Sequence, residues 1–153
     1  LMQPGLAIPS SPKLEAIANV RVRIGNREYR FSNIVTTAGL NWIMDFMARR
    51  SVPAIEYFAV GTGTAPPALG DTRLGVEQFR KEFTNIWREP GLVVVETYFA
   101  MNEANFNWTE IGLVAGGSDD KDTGILIARV SADVNKTEYD SAVVTWELGV
   151  SNA

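Results

Sequence analysis

The stretch that most narrows the fold is residues 19–31. Val20, Val22 and Ile24 alternate there with Arg21 and Arg23. A period of two places the apolar side chains on one face of a strand and the charges on the other. Gly25-Asn26 follows, and then a second run from Arg27 to Phe31. Gly and Asn both tolerate the positive φ of a two-residue hairpin turn, so the segment is predicted to be a β-hairpin. Arg21, Arg23, Arg27 and Arg30 are the hairpin's polar side. They are expected to be the solvated face of an edge hairpin rather than a phosphate-binding patch, because 14 basic against 18 acidic residues leave a formal charge of −4 and no field that would gather a polyanion.

The rest of the chain repeats this β character with one interruption. Thr36 or Thr37 can cap a helix over residues 37–49, in which Leu40, Ile43, Met44 and Met47 recur at helical spacing and are expected to face the core. Strands are predicted over 55–60, along a run punctuated by Phe79, Phe83 and Trp87, and over 92–100, 108–114, 125–131 and 143–148. The Phe79 to Trp87 run and the 92–100 strand, joined by Glu89-Pro90-Gly91, are expected to pair at the centre of a sheet. This makes a mainly β fold, a sandwich or barrel of about seven to eight strands with one main helix. Ahead of it, Pro4, Pro9 and Pro12 interrupt regular structure, so residues 1–18 are expected to form an extended N-terminal arm and 19–153 a single domain. Pro4, Leu6, Ile8 and Pro9 are the arm's candidate contact residues, since a solvated tail needs no Leu or Ile; the alternative reading of the same segment is a frayed terminus.

The sequence contains no histidine and no cysteine. Their absence removes the usual base near neutral pH, the commonest transition-metal ligands and every Ser-His or Cys-His nucleophile. The glycine-rich stretch from Gly61 to Thr72 lacks the Gly-Lys-Ser/Thr ending of a phosphate loop, and Pro66-Pro67 blocks a helix there, so it reads as a long loop. Asp119, Asp120 and Asp122 lack the spacing and distal Glu of a calcium loop, and Lys121 sits among them. Glu96 and Glu103 could in principle flank a glycosidic bond, but nothing singles them out from other carboxylates. No catalytic, metal or cofactor site is therefore expected, and no nucleic-acid partner. No apolar run approaches the roughly 18 residues that span a bilayer, and residues 1–12 lack a signal-peptide pattern, so a soluble chain without a membrane partner is expected.

Several fragments carry a likeness. Asn33-Ile34-Val35-Thr36-Thr37-Ala38-Gly39-Leu40 and Phe58-Ala59-Val60-Gly61-Thr62-Gly63-Thr64 are followed by Asp71-Thr72-Arg73-Leu74-Gly75-Val76-Glu77. Then come Glu103-Ala104-Asn105-Phe106, Thr109-Glu110-Ile111-Gly112-Leu113, Gly124-Ile125-Leu126-Ile127-Ala128-Arg129 and Val144-Thr145-Trp146-Glu147-Leu148. In this order and spacing they resemble small virion structural proteins of tailed phages, of the tail-fibre or tail-collar kind. The likeness covers residues 33–150; residues 1–31 have no counterpart in it. It implies a non-enzymatic building block that binds its own copies, with a trimer favoured, and the major capsid protein or other virion proteins. Two stations on the particle compete. The chain has no heptads or repeats from which a fibre shaft could be built. A free-standing domain with an arm suits capsid decoration at the head surface better than a tail station.

Overall fold

The computed structural model describes residues 14–152. Two antiparallel five-stranded sheets face one another as a β-sandwich. The first sheet contains β1 (Leu14–Ile24), β2 (Arg27–Ser32), β6 (Asn85–Glu89), β7 (Leu92–Phe99) and β10 (Ala142–Asn152), in the order β2-β1-β10-β7-β6. The second contains β3 (Ile34–Val35), β4 (Ile55–Gly61), β5 (Glu77–Glu82), β8 (Asn107–Ala115) and β9 (Ile125–Asn135), in the order β3-β9-β8-β4-β5. The helix α1 (Thr37–Met47) packs on β9.

The hairpin forms as its alternation predicts. Gly25 turns the chain at φ 56°, and Val20, Val22 and Ile24 are buried opposite Trp146, Val144 and Ala142 of β10. Between the sheets lie Phe58, Phe99, Trp108 and Trp146, all fully buried, with Phe58 meeting Trp146 edge-on at 6.0 Å and Phe99 tilted on Trp108 at 5.0 Å. Such pairs add to the large apolar area each ring removes from water. The Asn33 amide, oriented to satisfy both neighbours, donates to the Ala18 carbonyl and accepts from Trp146 Nε1, each at 2.8 Å.

Four expectations change. The strands number ten, because the two-residue β3 is added and the run from Phe79 to Trp87 divides into β5 and β6, which belong to different sheets. That division moves the run from a sheet centre to two edges: β6 borders one sheet and β5 the other. The N-terminal boundary moves as well. β1 starts at Leu14 and pairs with β10 from Leu14↔Asn152 onward, so residues 14–18 lie in the sheet rather than in an arm. Pro4, Leu6, Ile8 and Pro9 fall outside the described residues.

The fourth change is the face of α1. The helix ends at Met47 rather than Arg49, and Leu40, Met44 and Met47 are 39%, 55% and 66% exposed. Gly39 is the helix residue that is fully buried. A Cβ there would sit 2.2 Å from the Ile127 carbonyl oxygen, so only glycine lets the helix lie this close to β9. Thr36 fixes the start: its hydroxyl accepts from the Gly39 amide at 2.9 Å, and its own amide donates to the Ile127 carbonyl at 3.0 Å. The packed face therefore runs through Gly39, Trp42 and Ile43. It is one residue, a rotation of about 100°, away from the expected face.

Candidate functional site

Two kinds of unusual feature stand out on this scaffold: charges buried inside, and apolar side chains left outside. The most deeply buried charge is Glu110 on β8, which has no exposed surface. Its carboxylate accepts from the amides of Gly63 at 2.6 Å, Gly75 at 2.7 Å and Val76 at 2.8 Å. Arg129 on β9 completes the group, with its guanidinium 3.0 Å from Glu110, 2.7 Å from Asp71 and 2.8 Å from the Ala65 carbonyl. Thr109 donates to the Gly63 carbonyl at 2.7 Å. A Cβ on Gly63 would come 2.3 Å from Glu110 Oε2, so this glycine is required by close approach to the carboxylate. Partial burial disfavours the charged form of Asp71, but the Ala68 amide and Arg129 outweigh it and hold the carboxyl below its ordinary value.

This knot fastens the loop between β4 and β5 over the outer face of the second sheet. Leu74 of that loop is buried against Tyr57, Ala59, Val114 and Leu126 as a second small core. Both faces of β8 and β9 are thus covered, which explains why their sequences are nearly continuous apolar runs rather than alternating ones.

Two further knots work alike. Arg80 and Glu77 on β5 form a buried bidentate pair at 2.8 and 2.9 Å. Arg80 also donates to the Ser118 carbonyl at 3.0 Å and to the Thr123 carbonyl and hydroxyl at 3.1 Å. It lies 5.1 Å from the centre of the Tyr57 ring. The acidic tip with Asp119, Asp120 and Asp122 is therefore organised by an arginine, with Asp119 accepting from the Tyr57 hydroxyl at 3.2 Å. The third knot holds the turn after β7. Lys136 is buried and donates to Asn105 Oδ1 at 2.5 Å and the Thr137 carbonyl at 3.1 Å. Burial pushes its ammonium group below its ordinary value, against the opposing pull of Glu103 and Asp140.

The carboxylates considered for glycoside chemistry are not joined. Glu103 accepts from Lys81 at 2.6 Å and from the Ala100 amide at 2.8 Å, whereas Glu96 accepts from Thr145 at 3.4 Å. Although burial opposes it, Lys81 and the Ala100 amide hold the Glu103 carboxyl below its ordinary value, the opposite of what a general acid needs. On the hairpin, Arg21 and Arg30 both reach Glu28 at 3.4 Å, so these arginines flank a carboxylate. Among the described residues no cluster of three or more metal-ligating side chains occurs, and no helix is long and apolar enough to cross a membrane.

The apolar feature is a groove of about 730 Å³ where the inner faces of the sheets part. One wall carries Ala16, Ile86, Val93, Leu148 and Val150 of the first sheet; the other carries Trp42, Ile43 and Phe46 of α1 with Pro53 and Ile55. Trp42 is held in place by its indole N–H, which donates to the Pro53 carbonyl at 2.7 Å. Ile86 on the edge strand β6 pairs with the buried Val95 of β7 and so faces inward, yet it is 44% exposed. Phe46 is 66% exposed at the rim, and Leu40, Met44 and Met47 extend the apolar surface around the helix. The sequence points to this site only through Trp42 and Phe46, which make α1 too apolar for a one-sided helix.

The chain matches no protein-family model, no curated protein and no solved structure. Residues distant in the sequence meet at two places in the fold. Gly61, Gly63, Asp71, Gly75, Glu110 and Arg129 all lie in or against the first knot, and Asn33 meets Trp146.

Proposed function

We propose that this chain is a non-enzymatic structural subunit of a tailed-phage particle, most simply a capsid decoration subunit that binds and stabilises the shell at the head surface. The observation that supports a binding role is the apolar groove, left open among the described residues, with its helical ridge. Exposed contiguous apolar area of this kind is what a protein contact buries. The buried charges fit the same reading, since each is engaged with backbone groups and holds a loop in place. The phage context rests on the sequence resemblance, and so does self-association as a trimer.

Labelled protein added to particles and imaged directly tests the station. Label covering the head supports decoration, and label confined to the tail tip moves the chain to a fibre, collar or baseplate station. No attachment at either place overturns the proposal. Turnover of a glycan, peptide or nucleic acid that is abolished by a single carboxylate substitution would place the chain among depolymerases or other enzymes instead.

A further inference from the structure

We propose that Lys136 and Asn105 become joined by an intramolecular isopeptide bond, formed between Nζ of the lysine and Cγ of the asparagine amide with release of ammonia. This modification site lies inside the fold and is independent of where the chain is stationed.

The state of the lysine is the first argument. Lys136 stands directly after β9 and is fully buried, which lysine almost never is unless its charge is paired. The other two buried cations, Arg129 and Arg80, each meet a carboxylate. Among the described residues Lys136 forms no salt bridge: its ammonium group donates to the Asn105 amide and to the carbonyls of Met101 and Thr137. A buried amine without a contacting anion is driven toward its neutral form, which is the nucleophile.

Geometry is the second. Nδ2 of Asn105 donates to the Met101 carbonyl at 2.8 Å, and this turns Oδ1 toward the lysine. Nζ lies 2.5 Å from that oxygen, closer than the roughly 2.7–2.9 Å of a charge-assisted N–H···O bond. A carbonyl bond is about 1.23 Å long, so Cγ is at most about 3.7 Å from Nζ, close to the roughly 3–3.5 Å that separates atoms ready to react. Movement of Nζ from the oxygen to the face of the amide completes the approach.

The turn that presents Asn105 is the third. Ala104, immediately before it, has φ 52°, a left-handed conformation that costs a residue with a Cβ. The turn is held in that state from both sides: Trp108 Nε1 donates to the Ala104 carbonyl at 2.9 Å, and the Lys136 amide donates to the Phe106 carbonyl at 3.2 Å. Strain kept in place by its surroundings gathers where a fold needs a particular group in a particular place. Here it sets an amide against a buried amine.

The reaction needs no oxidant or cofactor. Lys136 first gives one proton to solvent, which reaches the site at the exposed Asn105. The Nζ lone pair then forms the Nζ–Cγ bond, and the carbonyl π electrons move to Oδ1. As the carbonyl re-forms, the Cγ–Nδ2 bond breaks. Nδ2 keeps that electron pair, takes one proton from Nζ and leaves as ammonia. Glu103, itself paired with Lys81, and Asp140 pull on the Lys136 charge, so loss of the first proton, and bond formation with it, quickens as pH rises. The product ties the turn after β7 to the end of β9 in a chain that has no cysteine for a disulfide.

Intact mass spectrometry of the full-length chain, as purified and after incubation at about pH 9 to free the amine, reads the bond directly. The chain is expected to become lighter than its sequence by one ammonia. Trypsin should then leave a branched fragment joining residues 89–121 to 130–153, because an acylated Lys136 is not cleaved. Lys136→Met and Asn105→Ala should each restore the full mass, and Asn105 is exposed, so its variant keeps the fold. An unshifted mass in the unsubstituted chain after both treatments overturns the proposal. So does an ammonia loss that survives Lys136→Met, which marks a succinimide at an asparagine. Loss of one water instead overturns it too, by placing the bond between Lys81 and Glu103.

Discussion

The fastened loops of the second sheet and the open groove of the first treat buried surface in opposite ways. Over β4, β8 and β9 the chain brings charges inside and closes them completely: Glu110 meets three amides and an arginine, and Arg80 meets a carboxylate and a loop. Along the groove it leaves apolar side chains uncovered, with Ile86, Phe46 and Val150 all substantially exposed. A buried pair gives little net stability over an apolar substitute, but removing one partner is costly. The first region is thus rigid and intolerant of change. The second keeps its side chains partly in water, so substitutions there cost less.

Breaking the first region should have the largest effect. Arg129→Ala leaves Glu110 and Asp71 without their common cation, and the expected loss is about 3–5 kcal/mol of folding free energy. Urea denaturation followed by tryptophan fluorescence measures it. A loss below 1 kcal/mol would show that the knot is no more than surface electrostatics.

Gly63→Ala comes next. The new methyl group would press on the Glu110 carboxylate, and overpacking of this kind costs about 1–3 kcal/mol. If the same substitution at Gly70, where an added Cβ meets nothing within 4 Å, costs as much, the argument from close approach is wrong.

A third effect follows from pH. The Asp71 and Glu103 carboxyls lie below their ordinary values of 3.8 and 4.5 in the folded chain. The unfolded chain therefore takes up protons first as acid is added, and stability falls with pH through this range. The contribution is fully present above about pH 4.5 and lost once the pH has dropped below the folded values. Thermal melts between pH 7 and pH 3 should show this decline, and Asp71→Asn should reduce it.

How far the sequence speaks for itself differs between the same regions. Strict alternation announced the β1–β2 hairpin because one face of that sheet is wet, and the pair Thr36-Thr37 marked the helix start, of which Thr36 is the cap. The knots were hidden by the general rule that charges on strands point outward. Their signal was local: Arg129 interrupts an apolar run, Glu110 stands directly before another, and they carry opposite signs. The division of residues 77–89 between two sheets left no trace, since the chain crosses at Phe83-Thr84 without glycine or proline. Apart from Trp42 and Phe46, the groove left no signal, because an open inner face and a covered one have the same composition. Only the placement of β6 at an edge distinguishes them.

The smallest expected effect on stability is the most useful for the second region. Met44 and Met47 were assigned to the core by helical periodicity, yet they are 55% and 66% exposed while Gly39 makes the close contact with β9. Met44→Glu should therefore change folding free energy by no more than about 0.5 kcal/mol, as surface substitutions do. A buried methionine replaced by a charge would cost several times that amount. The same substitution puts a charge on the ridge beside the groove, so on the proposed function attachment to particles or to other copies should weaken although the fold is intact. Unfolding and binding measured on one preparation separate the two outcomes. Loss of stability would return α1 to the core, and unchanged binding would confine the contact surface to the groove itself.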